Sequence, residues 1–402
     1  MTLYRVIMAI VAPLLLIRAL WRGERIADIA ERLGRGPAGL PVGLWLHGAS
    51  LGELASARWV VEALLAARPD LTLLVTANTV TGRQMVRDWR LDRVTARLAP
   101  LDLGFVLRRF LTRWQPVALI SLEAEFWPLR FARCAAHAMP IVLLGARMSE
   151  RSFQRWQKRL ALAAGMMASV RLASAQDAQS RQRLHLLGLA GTATLPDLDL
   201  KAQAVARLPV PQTPPRATRA TWLLAASTHD GEEALILRAF ARQRQFAHLI
   251  LAPRHPDRGA AIAAQLRALG LEYDQRSLGA QPGRTGVYLA DTLGEMDLWY
   301  AHCGAVVIGG TFADLGGHTP WEPMRHRTAI LHGPSLQNFA AQFAALDAAG
   351  GALPVSADSL AGQLTGLDGP AQDALADTAK AVLQAQGDVS AVLMRIKQIC
   401  GV

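Results

Sequence analysis

Three segments in the second half of the chain carry residues able to hold and polarise an anion. Gly316-Gly317-His318-Thr319-Pro320-Trp321-Glu322-Pro323 follows the apolar run 305–308 and its Gly309-Gly310 exit. Glycines between a strand and a helix-starting Pro/Glu let backbone approach a ligand, by default a phosphate or nucleotide. Ser227-Thr228-His229-Asp230-Gly231-Glu232-Glu233 follows the run 222–226, and Pro253-Arg254-His255-Pro256 follows 248–252. In an open parallel sheet such strand ends converge on one crevice. Two prolines stiffen the loop that carries Arg254, whose planar guanidinium can clamp two phosphate oxygens. His255 is as compatible with a hydrogen-bonded structural role. In Asp291-Thr292-Leu293-Gly294-Glu295-Met296 the glycine permits close approach and a helix start offers free N–H donors, although a plain helix cap explains the segment too. Glu322 can accept from ribose hydroxyls or complete a capping box with Thr319.

The first half supplies carboxylates. Glu53 closes the segment Leu44-Trp45-Leu46-His47-Gly48-Ala49-Ser50-Leu51-Gly52-Glu53, in which small residues turn a strand tightly into a helix. Near the first helical turn the dipole favours its ionised form, so Glu53 can act as a general base or merely complement the dipole. Glu123 and Glu125 follow the run 118–122 in Glu-Ala-Glu-Phe-Trp-Pro. Desolvating two carboxylates costs several kcal/mol without partners, so they form either a solvated loop pair or a second acid and positioning group opposite Glu53.

The elements that must position these residues alternate. Apolar runs at 44–47, 71–76, 118–122 and 141–144 read as buried strands, with helical patterns at 54–67 and 104–114 between them. A proline-rich stretch with Pro209, Pro211, Pro214 and Pro215 precedes a second series of strands at 222–226, 248–252, 287–289, 305–308 and 329–331. The expected organisation is an anchor and linker helix over 1–35, an α/β domain over 36–207, a linker over 208–221 and a second α/β domain over 222–402, with ligands bound in a cleft where strand ends face each other.

Composition limits the function classes. The 402 residues are 51% hydrophobic with formal net charge +11, which favours an anionic partner and excludes a largely disordered chain. The excess arginines, among them Arg108, Arg109 and Arg113, are spread along helices without interleaved aromatics, so no nucleic acid partner is expected. Cys134, Cys303 and Cys400 are far apart, which suggests neither a disulfide framework nor a zinc site. Residues 6–17 carry no charge and are flanked by Arg5, Arg18, Arg22 and Arg25. As a helix this run reaches only ~18 Å against a ~30 Å hydrocarbon core, and it contains Pro13. It reads as a monotopic or short anchor on the cytoplasmic membrane face, or as an apolar helix packed on the body.

Taken in order, these motifs resemble the 3-deoxy-D-manno-octulosonic acid (Kdo) transferases, which add Kdo to lipid A in lipopolysaccharide synthesis. The resemblance runs through Glu31-Arg32-Leu33-Gly34, Ser50-Leu51-Gly52-Glu53, Glu123-Ala124-Glu125-Phe126-Trp127-Pro128 and Ala146-Arg147-Met148-Ser149-Glu150-Arg151-Ser152. It continues through the Ser-Thr-His, Pro-Arg-His-Pro, Asp-Thr-Leu-Gly-Glu and Gly-Gly-His segments to Gly333-Pro334 and Asn338-Phe339. It implies an α/β GT-B glycosyltransferase fold of two Rossmann-like domains, CMP-Kdo as donor substrate, an inverting transfer, no cofactor and no bound metal. The lipid A precursor and the inner membrane's cytoplasmic surface are the implied partners. By the same resemblance Glu53 is the catalytic base, Glu123 assists at the transition state and Lys201 is the cationic stabiliser. Pro253, Arg254, Leu293, Gly294, Glu295, Met296, Thr319, Pro320, Trp321 and Glu322 contact CMP.

The chain departs from the family pattern in three places. Thr319 and Trp321 replace an Asn and a Leu, which changes one hydrogen-bonding group and is expected to add bulk beside the nucleotide. Leu129 stands where the family commonly has Asn. Leu198-Asp199-Leu200-Lys201 keeps the Lys of a Gly-Asn-x-Lys segment without its Gly and Asn. Two rival readings follow: a GT-B enzyme using another nucleotide sugar, and a catalytically silent paralogue that binds lipopolysaccharide precursors.

Overall fold

The computed structural model describes residues 1–36, 42–123, 125–209, 212–385 and 389–401; Ala124 and Pro211 of the segments above, and the expected domain start around 37–41, lie outside these. The chain forms two compact units, Met1–Ala204 with Gln386–Val402, and Val205–Ala385.

The first unit is built on six parallel strands, β1 (Leu44–Gly48), β2 (Leu73–Ala77), β3 (Val94–Leu98), β4 (Ala118–Leu122), β5 (Ile141–Ala146) and β6 (Val170–Ala175), in the order β3-β2-β1-β4-β5-β6. The strand order reverses between β1 and β4, which pair from Leu44↔Ala118 to His47↔Ser121. Loops leaving neighbouring strands at such a reversal diverge to opposite faces and open a crevice at their C-terminal ends. Both faces of β1 are covered, so its side chains alternate between two apolar layers: Leu44 and Leu46 pack with Leu54, Val61 and Leu64, whereas Trp45 packs with Phe110 and Leu119.

The second unit has seven strands, β7 (Trp222–Thr228), β8 (His248–Pro253), β9 (Tyr273–Gln275), β10 (Val287–Leu289), β11 (Ala305–Ile308), β12 (Ala329–His332) and β13 (Ala352–Pro354), ordered β13-β12-β11-β7-β8-β10-β9. Its reversal lies between β11 and β7, so the Gly-Gly exit of β11 and the Ser-Thr-His exit of β7 flank one switch point.

Three expectations about organisation change. The final helix, Val389–Cys400, belongs to the first unit, because Val392, Ile396 and Cys400 complete the apolar layer around Leu64 and Leu73. The stretch 208–221 contains the short helix Arg216–Arg219. There the buried Arg219 donates to the Cys303 and His326 carbonyls, both at 2.9 Å, so this part belongs to the second unit. The N-terminal helix spans Thr2–Trp21, twenty residues that continue through Pro13, and is long and apolar enough to cross a membrane by length and composition. One stripe, with Met8, Ala12 and Ala19, is buried, and Tyr4 donates to Asp102 Oδ2 at 2.8 Å. The opposite side leaves Leu3, Val6, Ile10 and Leu14 exposed.

Candidate active site

At the first unit's switch point, Ser50 caps the helix Leu51–Ala67 by accepting from the Glu53 N–H at 3.2 Å. The Glu53 carboxylate turns back and accepts from the Ala49 N–H at 2.8 Å. The Ser50 bond is that of an ordinary capping box, whereas the returning carboxylate takes the N–H one residue before the N-cap. The dipole alone would keep this carboxyl acidic, but burial and the nearby Glu123 and Glu125 charges outweigh it and push the pKa up to about 7. A carboxyl poised there accepts a proton at neutral pH far better than one near its ordinary value.

Glu123 closes β4 with φ 43°, a left-handed conformation that costs a non-glycine residue ~1–3 kcal/mol. Two backbone bonds hold it there: its N–H donates to the Leu144 carbonyl (3.1 Å) and its carbonyl accepts from Arg147 N–H (3.3 Å). Its Oε1 lies 3.2 Å from Lys201 Nζ. The Asp199 that replaces the family's Asn caps the helix Leu200–Arg207, accepting from Lys201 N–H (2.9 Å) and Ala202 N–H (3.0 Å). The acid two residues before Lys201 is therefore spent on backbone donors, and the ammonium pairs with Glu123.

Glu125 has a different task. Its Oε2 accepts from His47 Nε2 (3.0 Å), Asn78 Nδ2 (3.0 Å) and Trp127 Nε1 (2.7 Å). Burial would raise its pKa, yet the His47 and Trp127 hydrogen bonds and the Arg130 charge pull it down to about 2. His47 is fully buried, and burial with the Arg130 charge lowers its pKa to about 4, so the ring is neutral. An ionised Glu125 requires the Nε2–H tautomer. Nδ1 then accepts from the Thr76 hydroxyl (2.9 Å), which in turn accepts from Trp45 Nε1 (2.8 Å). Glu125 is thereby a fixed negative charge that helps raise Glu53. The sequence signal was a polar residue at every step, His47 and Thr76 inside otherwise apolar strands and Asn78 just beyond one, but their convergence required the β1–β2 register His47↔Thr76.

In the second unit the loops after β7, β8 and β11 meet. The buried Glu232 accepts from the N–H groups of His229 (2.9 Å), Gly310 (2.8 Å) and Phe312 (3.0 Å), tying two loops across the switch point. Close backbone packing explains the glycines: a Cβ on Gly309 would lie 2.3 Å from the Ser227 carbonyl oxygen, and Gly316, at φ +82°, would place one 2.7 Å from Asn338 Nδ2. The rings of His229 and His318 lie parallel with their Nε2 atoms 2.9 Å apart, so one ring is the Nε2–H tautomer and its neighbour the Nδ1–H tautomer. Burial, with the charges of His229 and Arg254, lowers the pKa of His318 to about 4. Arg254 follows the buried Pro253 at the end of β8, is exposed, and its N–H donates to the Thr228 carbonyl at 3.0 Å.

The other expected nucleotide contacts divide. Leu293 is exposed beside Gly294 at φ +84°. Glu295 is held by Arg276 at 2.6 Å and by Thr292, and Met296 starts the helix Met296–His302. Thr319 accepts from the Trp321 N–H at 3.3 Å rather than completing a box with Glu322. Pro320 precedes the short helix Trp321–Arg325, and the Trp321 side chain is 1% exposed, so its bulk goes into the core and not into the loop. Burial alone raises the Glu322 pKa, and among the described residues no hydrogen-bond or ionic partner offsets it. The described residues contain no group of three or more His, Cys, Asp or Glu arranged to hold a metal ion.

Residues 27–204 match the family described as 3-Deoxy-D-manno-octulosonic-acid transferase (kdotransferase). Over 350 residues the chain is 32% identical to the 3-deoxy-D-manno-octulosonic acid transferase of Haemophilus influenzae, covering 84% of this chain and 82% of that protein. It belongs to the Kdo transferase family. The corresponding Bordetella pertussis transferase is 34% identical, with 76% of this chain and 74% of that one covered. Among solved structures, Anabaena Alr3699/HepE in complex with UDP and glucose superposes with a TM-score of 0.54 at 13% identity, covering 89% of this chain and 99% of that one. That likeness concerns the fold alone, the GT-B class of two Rossmann-like sheets. Membership makes this chain a glycosyltransferase acting in Kdo transfer.

Proposed function

We propose that the chain transfers Kdo from CMP-Kdo to a glucosamine hydroxyl of the lipid A precursor, with inversion and without a bound metal or cofactor. Glu53 takes the acceptor's hydroxyl proton as that oxygen bonds to the anomeric carbon. The bond from that carbon to the CMP phosphate oxygen breaks, and its electron pair leaves with CMP. Glu123 and Lys201 stabilise the transition state as a pair. Arg254, following Pro253, clamps the departing phosphate, with the turns Leu293–Met296 and Thr319–Glu322 around the nucleotide and Glu322 accepting from the ribose. Such preorganised groups supply electrostatic stabilisation where charge develops. The observation that carries this reading is the Glu53 carboxyl, raised to about 7 beside Glu123 at a topological switch point. The apolar outer side of the helix Thr2–Trp21, with its inner stripe pinned by Tyr4 to Asp102, supports a place on the cytoplasmic face of the inner membrane.

The test is the purified protein with CMP-Kdo and a tetra-acylated lipid A precursor, the product read by mass. A mass increase of one or more Kdo residues is expected. No product with CMP-Kdo, but transfer from a UDP-sugar, would replace the donor assignment.

A further inference from the structure

The Ser-Thr-His and Gly-Gly-His loops bring together two histidines that the transfer reading leaves without a task. His229 and His318 meet with Nε2 atoms 2.9 Å apart, ring planes 2° from parallel and centroids 5.2 Å apart. The centroid distance exceeds the Nε2 separation by about the two ring radii, so the rings meet end to end in one plane, the geometry of a hydrogen bond rather than a stack. Ser227, at φ 56°, sits in a register shift between β7 and β8, and such a bulge re-aims the residues beside it. Across the switch point the pair rests on Gly310, where a Cβ would lie 3.4 Å from His318 Cδ2 and 3.5 Å from His229 Cδ2. Both rings are half-buried, and among the described residues neither Nδ1 has a hydrogen-bond partner.

The charged and titratable groups that face the pair are Glu232 on the β7 side and Arg254, His255 and Arg258 on the β8 side. Glu232 is committed to three backbone N–H groups, and Arg258 to Glu233 (2.7 Å) and Asp230 (3.0 Å). His255 meets His229 edge-on at 6.0 Å. Arg254 has no ion-pair partner among the described residues. Burial and these cations hold His318 at about 4 and His229 below its ordinary value, so the empty pair is neutral at pH 7. An anion arriving beside Arg254 reverses the balance, because an opposite charge at contact raises a histidine's pKa by roughly 1–3.

We infer that His229 and His318 act as one proton-coupled receptor for the nucleotide phosphate, neutral when empty and taking up a single proton from solvent as the phosphate settles beside Arg254. The inference rests on the donor half of the Kdo-transfer reading for the place of the phosphate. The proton enters at the Nδ1 lone pair of the Nε2–H ring, and no bond of the nucleotide forms or breaks. The Nε2–H···Nε2 bond then carries one positive charge across two rings, and both Nδ1 atoms become N–H donors, a two-pronged partner for an anion. A second proton is shut out, since Nε2 atoms at 2.9 Å cannot both carry one. The added affinity is absent well above the pKa of the occupied pair and grows as pH falls through it. It acts on donor binding, so the acceptor's kcat/KM at saturating donor stays with Glu53.

The test is calorimetry of the full chain with the methyl ester of CMP, a phosphodiester like the donor with no phosphate proton to lose near neutrality. Binding heats in two buffers of different ionisation enthalpy count the protons exchanged. At about pH 5.5 the wild-type protein should take up roughly 0.2–0.9 proton per ester, and at about pH 8 almost none. His229→Gln/His318→Gln should bind the ester without uptake, and His255→Gln should keep the uptake. Binding by the wild-type protein without uptake overturns the inference alone, whether or not the double variant folds, whereas no binding overturns the donor assignment with it. Uptake retained in the double variant, or lost in His255→Gln, places the proton elsewhere and also overturns it. So does uptake of more than one proton, which would make the two rings independent.

Discussion

Replacing Glu53 by Gln separates chemistry from architecture at a single position. The amide oxygen can still accept from the Ala49 N–H, and the Ser50 cap is untouched, so the local fold is retained. If the carboxylate is the base, turnover falls by about 10² to 10⁴, or ~3–5 kcal/mol of transition-state stabilisation. Stability should move the other way. The folded-state pKa of about 7 stands above the ordinary 4.5, so the folded state binds this proton more tightly than the unfolded chain. The resulting penalty is absent below pH 4.5, grows between 4.5 and 7 and is complete above 7. It amounts to ~3 kcal/mol undiscounted, and about 1 kcal/mol after allowing for solvent screening of a partly exposed group. Gln carries no such charge. At pH 8 the variant should be as stable as the wild type or up to about 1 kcal/mol more so, with the gap closing toward pH 5. A carboxylate that only complemented the helix dipole predicts a loss of ~0.3–1 kcal/mol at pH 8 with turnover kept. The assays are urea unfolding at both pH values and single-turnover transfer on the same protein. The wild-type kcat/KM should also rise about tenfold per pH unit up to about 7 and then level. A Gln variant that transfers at near wild-type rate, or a flat wild-type profile between pH 5.5 and 8, would refute the assignment.

Glu125→Gln should cost about 2–3 kcal/mol in urea unfolding, because the buried His47 and the half-buried Asn78 and Trp127 lose the anion they donate to; the wild-type contribution is complete above the ordinary 4.5 and disappears as pH falls toward 2. For Glu123→Gln and Lys201→Met, a double-mutant cycle in kcat/KM should return a coupling of about 0.5–3 kcal/mol, and additive effects would mean that the pair does not act as a unit. Arg254→Ala should weaken CMP binding by about 1.5–3 kcal/mol by calorimetry, and unchanged affinity would remove it from the donor site. Transfer should persist in excess EDTA; loss restored by magnesium would contradict a metal-free site.

Much of this arrangement was legible because fully buried parallel strands are short apolar runs: β1, β4 and β5 lie where those runs predict them. The missed strands are the marginal ones. β3 reads Val-Thr-Ala-Arg-Leu and is only partly buried, and β6 interrupts its run with the exposed Arg171, as edges permit. Glu53 could be placed at a helix start from its neighbours, but its raised pKa depends on Glu123 and Glu125, some seventy positions away in sequence. The direction of Trp321 is not legible in the sequence, because a bulky residue in a loop motif carries no mark of it, and here the indole turns inward. The continuity of the N-terminal helix through Pro13 and the return of the last helix to the first unit are likewise tertiary outcomes. Neither Pro13 nor the amphipathic pattern near the end of the chain names its partner.

That returning helix has a consequence during synthesis. The first unit is discontinuous, with Val392, Ile396 and Cys400 completing a layer begun by Leu44 and Leu64. A ribosome releases the chain from its N-terminus, so this layer stays open while the whole second unit, Val205–Ala385, is being made. The second unit has all its strands before the last helix emerges and can close first. The half carrying the carboxylates then seals only once residues 389–400 have left the exit tunnel, so a chain truncated before them keeps a finished second unit and an unsealed carboxylate half. Quality control that reads exposed apolar surface would therefore discard prematurely terminated products through the very unit that holds Glu53.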